Sequence, residues 1–174
     1  FGSYGRDTLT FEPLGDPTTA AGNYSFAIGL GASATGVGST ALGVLSSAVG
    51  DGALALGVSS KAIGDKSMAL NIGQAEGAYS LAFGYYSKAT GDYSIALGRG
   101  ISKFGGVYNH ASGNSSIALG YSRAYGVSSV GIGIATVNGK YGVGLGSSVT
   151  VDGDYAVGIG STLNAYSFGS IVVG

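Results

Sequence analysis

Chemistry in this chain would have to come from very few groups. The single histidine, His110, falls in a segment from Arg99 to Ser112 that also holds Lys103, Phe104 and Tyr108. Nucleophilic or acid–base catalysis needs a base within reach of a nucleophile and a third group to orient it. One imidazole beside scattered serines supplies no such set, so no enzyme is expected and no catalytic residue is assigned. Among the nine acidic residues, Asp51, Asp65, Asp92 and Asp154 each follow a glycine directly. Asp51 and Asp65 could stack on neighbouring turns of a coil, but the paired Gly and Asp of a calcium-binding nonapeptide are missing, and no metal or cofactor is predicted. Glycines spaced like Gly22 and Gly29 make no phosphate loop, because Lys followed by Ser or Thr never comes in the required place. Twelve tyrosines remain; Tyr79 and Tyr93 share one column a turn apart, as do Tyr141 and Tyr155, and such ladders either stack to shield the turn edges or offer an aromatic surface for protein or glycan. Binding through Arg99, Lys103, Phe104, Tyr108 and His110 is the second expectation, since a segment that interrupts a regular pattern is where contact groups are often placed.

The rest of the chain must position these groups, and its composition is unusual. Gly, Ser and Ala fill 81 of 174 positions, while charged residues make up 10% and the formal net charge is −1. No basic patch exists to attract nucleic acid or an anionic membrane surface. No apolar run reaches the length of a membrane-crossing helix, because Gly, Ser or a charge interrupts each candidate. Cysteine is absent, which excludes a disulfide framework and thiolate chemistry.

The glycines are periodic. They recur every seven residues at Gly22, Gly29, Gly36, Gly43, Gly50, Gly57 and Gly64, and the step resumes after small irregularities as far as Gly174. Two steps make a unit of 14 residues, whose first half reads Gly-x-x-Ser-x-Ala-large-Gly, as in Gly22 to Gly29 and Gly91 to Gly98. Alternation of small and large side chains is the period of a strand, and both the pattern and the glycine content exclude a helix. Glycine at each corner allows the positive φ of a tight bend, and the aspartates that follow suit turns by bonding their own backbone. The predicted fold is all-β: a parallel β-roll, or solenoid, of about eleven 14-residue turns over residues 22–174, with residues 1–21 a non-repeating leader or cap and an insertion at about 99–112.

A turn of this length leaves a narrow lumen, so the small column must point inward. Toward the C-terminus one wall shrinks to Gly142 and Gly144 where the opposite wall grows to Val149 and Val151, which conserves volume across a shared lumen. The large column of the first wall then points outward. It runs Phe26, Ile28, Thr40, Leu42, Leu54, Leu56, Met68, Leu70, Leu81, Phe83, Ile95, Leu97, Ile117, Leu119, Val130, Ile132, Val143, Leu145, Val157, Ile159, Ile171 and Val173, apolar everywhere except Thr40. The second wall's outward column is mixed or polar, with Ser33, Lys61, Lys88, Thr150 and Asn164. An apolar strip two side chains wide along the whole coil exceeds what a monomer leaves in water. These residues are therefore expected to form an interface between identical chains in a closed ring.

The repeated Ser-x-Ala-large-Gly motif, as in Ser25 to Gly29, Ser94 to Gly98 and Ser116 to Gly120, resembles the head repeat of trimeric autotransporter adhesins, the YadA-like head. The resemblance covers Gly22 to Gly174. It implies a left-handed roll, a homotrimer around one axis, and display on the outer membrane of a Gram-negative bacterium, where the head adheres to host matrix proteins such as collagen, fibronectin or laminin, or to other surfaces. It also implies a stalk and a membrane anchor outside these 174 residues. A collagen-binding relative carries Asn-Ser-Val-Ala-Ile-Gly repeats, whereas here Tyr24, Tyr79 and Tyr93 stand in the place of that Asn. A phage-fibre tip built on the same roll is the alternative reading. Hexapeptide acyltransferases are excluded by the seven-residue step.

Overall fold

A computed structural model describes residues 9–11, 17–100 and 109–174. Every described element is a strand, and every pairing is parallel. Short strands alternate between two walls. The first wall includes β3 (Phe26–Ile28), β5 (Thr40–Leu42), β7 (Leu54–Leu56), β9 (Met68–Leu70), β11 (Leu81–Phe83), β13 (Ile95–Gly98) and β15 (Ile117–Gly120). The second includes β4 (Ser33–Ala34), β6 (Ser47–Ala48), β8 (Lys61–Ala62), β10 (Gln74–Ala75), β12 (Lys88–Ala89), β14 (His110–Ala111) and β16 (Arg123–Ala124). In the last turns both walls merge into single bent strands, β17 (Val130–Val137), β18 (Val143–Val151) and β19 (Val157–Ala165), before β20 (Ile171–Val173). From β3 to β20 the chain completes about ten turns.

The ladder also reaches forward of Gly22. The first strand, Leu9–Phe11, pairs with Phe26–Ile28, and Thr19–Ala20 pairs with Ser33–Ala34. Part of the segment expected as a leader or cap therefore continues the two walls. Register is kept residue for residue across the insertion, where Gly98 pairs with Gly120 and Lys88 with His110. His110 and Ala111 consequently belong to the second wall and not to the insertion expected at about 99–112. One bulge, where Ile134 and Ala135 face Ser147 and Val149, absorbs the missing residue of a short repeat.

The small column does face inward. Ala27, Ala41, Ala55, Ala69, Ala82, Ala96 and Ala118 stack in register and are fully buried, as are Ala34, Ala48, Ala62, Ala75, Ala89, Ala111 and Ala124 on the opposite wall. The serines beside them differ by wall. Ser46, Ser60, Ser87 and Ser122 donate to carbonyls at the adjoining corner. The buried hydroxyls of Ser25, Ser39, Ser67, Ser80, Ser94, Ser116 and Ser129 have no such partner, so size rather than polarity fits them to the lumen. The expected exchange of volume is visible in atoms: a Cβ on Gly144 would lie 2.8 Å from Val137 Cγ2, and one on Gly158 would lie 2.9 Å from Val149 Cγ1 and 3.0 Å from Leu163 Cδ1.

The corner glycines divide between the two corners: where a first-wall strand ends, Gly29 (φ 128°), Gly43 (126°), Gly57 (100°) and Gly84 (114°) have the expected positive φ, and where one begins they do not. At the corner entering each first-wall strand, Gly36 has no positive φ; a Cβ there would sit 2.5 Å from the carbonyl carbon of Gly50 and 2.6 Å from Val49 O, in the turn below. Positive φ at this corner falls two residues later, at Gly38 (64°), Tyr24 (58°) or Lys66 (53°). The repeating glycine of this entering corner is thus demanded by the close approach of successive turns, whereas Gly38 has open space around it and only a backbone reason to be glycine.

These two roles separate experimentally. Gly36→Ala is expected to lower stability by about 3 kcal/mol through backbone overlap, and Gly38→Ala by only about 1 kcal/mol through conformation, as read from denaturant unfolding. Gly144→Ala is likewise destabilising by itself, and adding Val137→Ala is expected to recover part of the loss; a merely additive double variant would refute the shared lumen.

Candidate binding surface

Of the five residues expected to contact a ligand, Lys103, Phe104 and Tyr108 lie outside the described residues. Arg99 is exposed immediately after β13. Behind it, the Gly100 amide donates to Tyr85 O at 2.7 Å, tying the departing chain to the corner of the preceding turn. His110 sits on the outer face of the second wall, in register between Lys88 and Arg123. Its Nε2 lies 3.1 Å from Thr90 Oγ1, and its ring meets Tyr125 edge-on with 5.5 Å between centroids. Lys88 Nζ is 2.9 Å from Glu76 Oε1 on the turn above. Burial, then the nearby Lys88 and Arg123, hold the imidazole below its ordinary pKa, with Glu76 opposing. The neutral ring therefore bonds a threonine hydroxyl within a polar wall. Glu76 is engaged by Lys88, so it does not orient the imidazole as a catalytic acid would. Among the described residues no group of three His, Asp or Glu side chains is placed to hold a metal ion.

Five of the tyrosines, Tyr24, Tyr79, Tyr93, Tyr141 and Tyr155, occupy a different place, the corner before a first-wall strand, whereas Tyr85 and Tyr86 lie at the opposite corner. Tyr79 and Tyr93 stack with 5.0 Å between centroids and 6° between planes, and Tyr141 and Tyr155 stack at 4.9 Å and 16°. All four are exposed and have φ between 56° and 58°. Equal backbone conformation on successive turns superposes the rings at the pitch of the parallel ladder. Two further residues join these columns in the folded chain. Lys66, one turn before Tyr79, donates from Nζ to Tyr79 Oη at 2.9 Å and lies 4.9 Å from the ring centroid, an arrangement that raises the lysine pKa. Phe168 packs edge-on against Tyr155 at 5.4 Å. Lys66 could have been found by carrying the column back across the 13-residue repeat between Gly64 and Gly77.

The aspartates at this corner correct another expectation. They bond the turn before them, not their own backbone: Asp51 Oδ1 accepts from Val37 N at 2.8 Å, Asp92 Oδ1 from Ala78 N at 2.9 Å, and Asp154 Oδ1 from Lys140 N at 2.8 Å. In a stacked coil the nearest unpaired amide is one pitch away, within reach of a short side chain.

On the outer face of the first wall, the large side chains alternate with fully buried alanines and remain half-buried to exposed. Phe83 is 49% exposed. The apolar strip continues around the other corner through Leu30, Val44, Leu45 and Val58.

Because His110 is held below its free pKa of 6.5 by its surroundings, the fold favours the neutral imidazole. Its contribution to stability is complete above that value and is lost as pH falls below it. A proton NMR titration is expected to give a midpoint under 6.5, and His110→Gln should flatten the fall in melting temperature between neutral and mildly acidic pH. An ordinary or raised midpoint would contradict the described environment.

The family model for the YadA head domain repeat matches the chain in overlapping copies over residues 14–70, and again over 75–100 and 106–122, more than half its length. No curated protein matches the chain. The family match joins a parallel solenoid whose Ser-x-Ala-large-Gly strands recur on every turn. The chain belongs to the YadA head domain family.

Proposed function

We propose that this chain is the head of a trimeric autotransporter adhesin, displayed on a Gram-negative cell surface, that attaches to host matrix protein or another surface without catalysing a reaction. The family supports an adhesin-like surface role. The observation that carries the proposal is the apolar strip: one wall presents Phe26, Ile28, Leu54, Leu56, Leu81, Phe83, Ile95, Leu97 and their equivalents along the whole coil, while its own core is alanine over most of its length and takes larger side chains, such as Val137, Val149, Val151 and Leu163, only in the last turns. The large apolar surface is thus placed where only other chains can cover it. Three copies around an axis, as the family resemblance implies, close the strip; the second wall then faces outward. Ligand contact is assigned to the insertion and its border, with Arg99, Lys103, Phe104, Tyr108 and His110 as candidate contacts.

Sedimentation equilibrium is expected to give three times the chain mass, and Leu56→Asp with Leu97→Asp to reduce it to one; a wild-type monomer would refute the interface. The purified head is then tested on immobilised collagen, fibronectin and laminin. Deleting residues 101–108, which leaves the paired walls intact, is expected to weaken binding at least about tenfold, the effect of losing a main contact. Unchanged binding would remove the insertion from the site.

A further inference from the structure

We infer that the two stacked tyrosine pairs, Tyr79 with Tyr93 and Tyr141 with Tyr155, are modification sites at which a haem peroxidase and hydrogen peroxide join adjacent turns of one chain through a dityrosine bond. The inference goes beyond adhesion and does not depend on how many chains form the head.

The members of each pair are 14 residues apart in sequence and one turn apart in space. The Tyr93 amide donates to Ala78 O and the Tyr155 amide to Lys140 O, both at 2.8 Å, which fixes the backbone beneath the rings. The ring centroids are 5.0 and 4.9 Å apart, with 6° and 16° between planes. Exposure of 48% at Tyr79, 60% at Tyr93, 49% at Tyr141 and 54% at Tyr155 opens all four phenols to an oxidant in solution. Tyr79 Oη accepts its bond from Lys66 Nζ, so its phenolic hydrogen remains to be given up. The backbone gives no reason for tyrosine here, because the same positive φ is carried by glycine at Gly38 and Gly52 and by serine at Ser115 and Ser128. The chain also has no cysteine, so oxidation cannot tie its turns by disulfides, and phenols are the side chains left to couple with one another.

The peroxidase takes one electron and one proton from each phenol of a pair, and these reduce one hydrogen peroxide to two waters. Two neutral phenoxyl radicals remain. Their unpaired electrons are shared between the oxygen and the ring carbons ortho and para to it, and the para carbon is blocked by its bond to Cβ. Coupling therefore forms one carbon–carbon bond between ortho carbons, each giving one electron; the hydrogen on each of these carbons then moves to its own oxygen and restores both phenols. Rings stacked face to face do not bond as they stand. The terminal torsion of tyrosine is broad, however, and a quarter turn of each ring about Cβ–Cγ aims one ortho carbon at the other. The two carbons then span about half of the ~4.8 Å pitch, and a small lean of the exposed side chains closes the rest. The other aromatic groups lack this arrangement. Tyr24 is 62% exposed but has no ring contact among the described residues. Tyr85 and Tyr86 are chain neighbours set edge to face at 83°, so a bond there would tie no turns together. Phe168, packed on Tyr155, has no phenol and ends its ladder. Each bond closes a loop across one turn, as a disulfide would, and hardens the head where it meets oxidant.

The test treats the purified chain with a haem peroxidase and small additions of hydrogen peroxide. Cleavage at Lys88 and at Asp154, which lie between the members of each pair, is followed by peptide mass mapping. The peptide holding Tyr79 is expected joined to that holding Tyr93, and that of Tyr141 to that of Tyr155, each product short of two hydrogens and showing dityrosine fluorescence. On a denaturing gel the chain keeps the mass of a single chain. Joined pairs are expected in at least about tenfold excess over any product at Tyr24, because residues one pitch apart meet at a far higher effective concentration than separate chains do. Tyr93→Phe/Tyr155→Phe keeps four stacked rings but only one phenol per pair, so it forms neither bond, and its unfolding curve before treatment verifies its fold. Treated wild type is expected to melt at least about 5 °C higher than untreated, and the treated variant to show no such shift. The inference is overturned by the absence of joined peptides, by products at Tyr24 or between chains as abundant as the pairs, by a variant that links like wild type, or by a linked head that melts where the unlinked one does. Sedimentation of the untreated chain reports on the proposed trimer separately.

Discussion

Successive turns of this coil approach so closely at the corners that no Cβ fits between them, and the rest of the molecule follows from that approach. Parallel strands pair at about 4.8 Å, and at Gly22, Gly50, Gly77, Gly113 and Gly139 a side chain would collide with the carbonyl group of the turn below. Glycine at these positions lets the chain close a turn in 14 residues or fewer while keeping both walls hydrogen-bonded. A roll so tight has a lumen one or two methyl groups across. Alanine fills it where both walls are equal, and valine appears only where glycine stands opposite, as with Val137 and Gly144.

That small interior displaces the hydrophobic effect to the outside. An ordinary domain buries its leucines and isoleucines in its own centre; here they alternate with alanines fully buried in the lumen and must point away. The consequence is a dry wall, a wet wall and two corners of different character. The wet wall keeps Lys88 beside Glu76 and His110 beside Thr90, contacts that tie neighbouring turns together. The tyrosine corner uses the pitch differently: identical backbone positions on consecutive turns hold rings in stacking contact, and the same regularity makes interruptions by serine into gaps of defined height. A repeat protein can thus encode a surface pattern by changing one residue per turn without disturbing its core.

Much of this was legible because a solenoid converts sequence spacing directly into spatial adjacency. The seven-residue glycine step, the inward small column, the outward large column and the pairing of Tyr79 with Tyr93 follow from periodicity, and the structure agrees with each. Features that depend on neighbours one pitch away along the axis were harder to read. Asp51, Asp92 and Asp154 bond the preceding turn, and Gly36 is glycine because of Gly50. His110, which spacing assigned to an insertion, sits in a wall because strand pairing resumes as soon as Lys88 and Arg123 can be matched.

By itself, then, the sequence determined the class of fold, the wall that faces inward and the large residues that the lumen excludes, since these depend only on period and side-chain volume. The tertiary structure decided what each corner group bonds, where the ladder begins and where the insertion ends. Those outcomes rest on hydrogen bonds and close contacts between residues 14 or more apart, whose distances exist only once the turns are stacked.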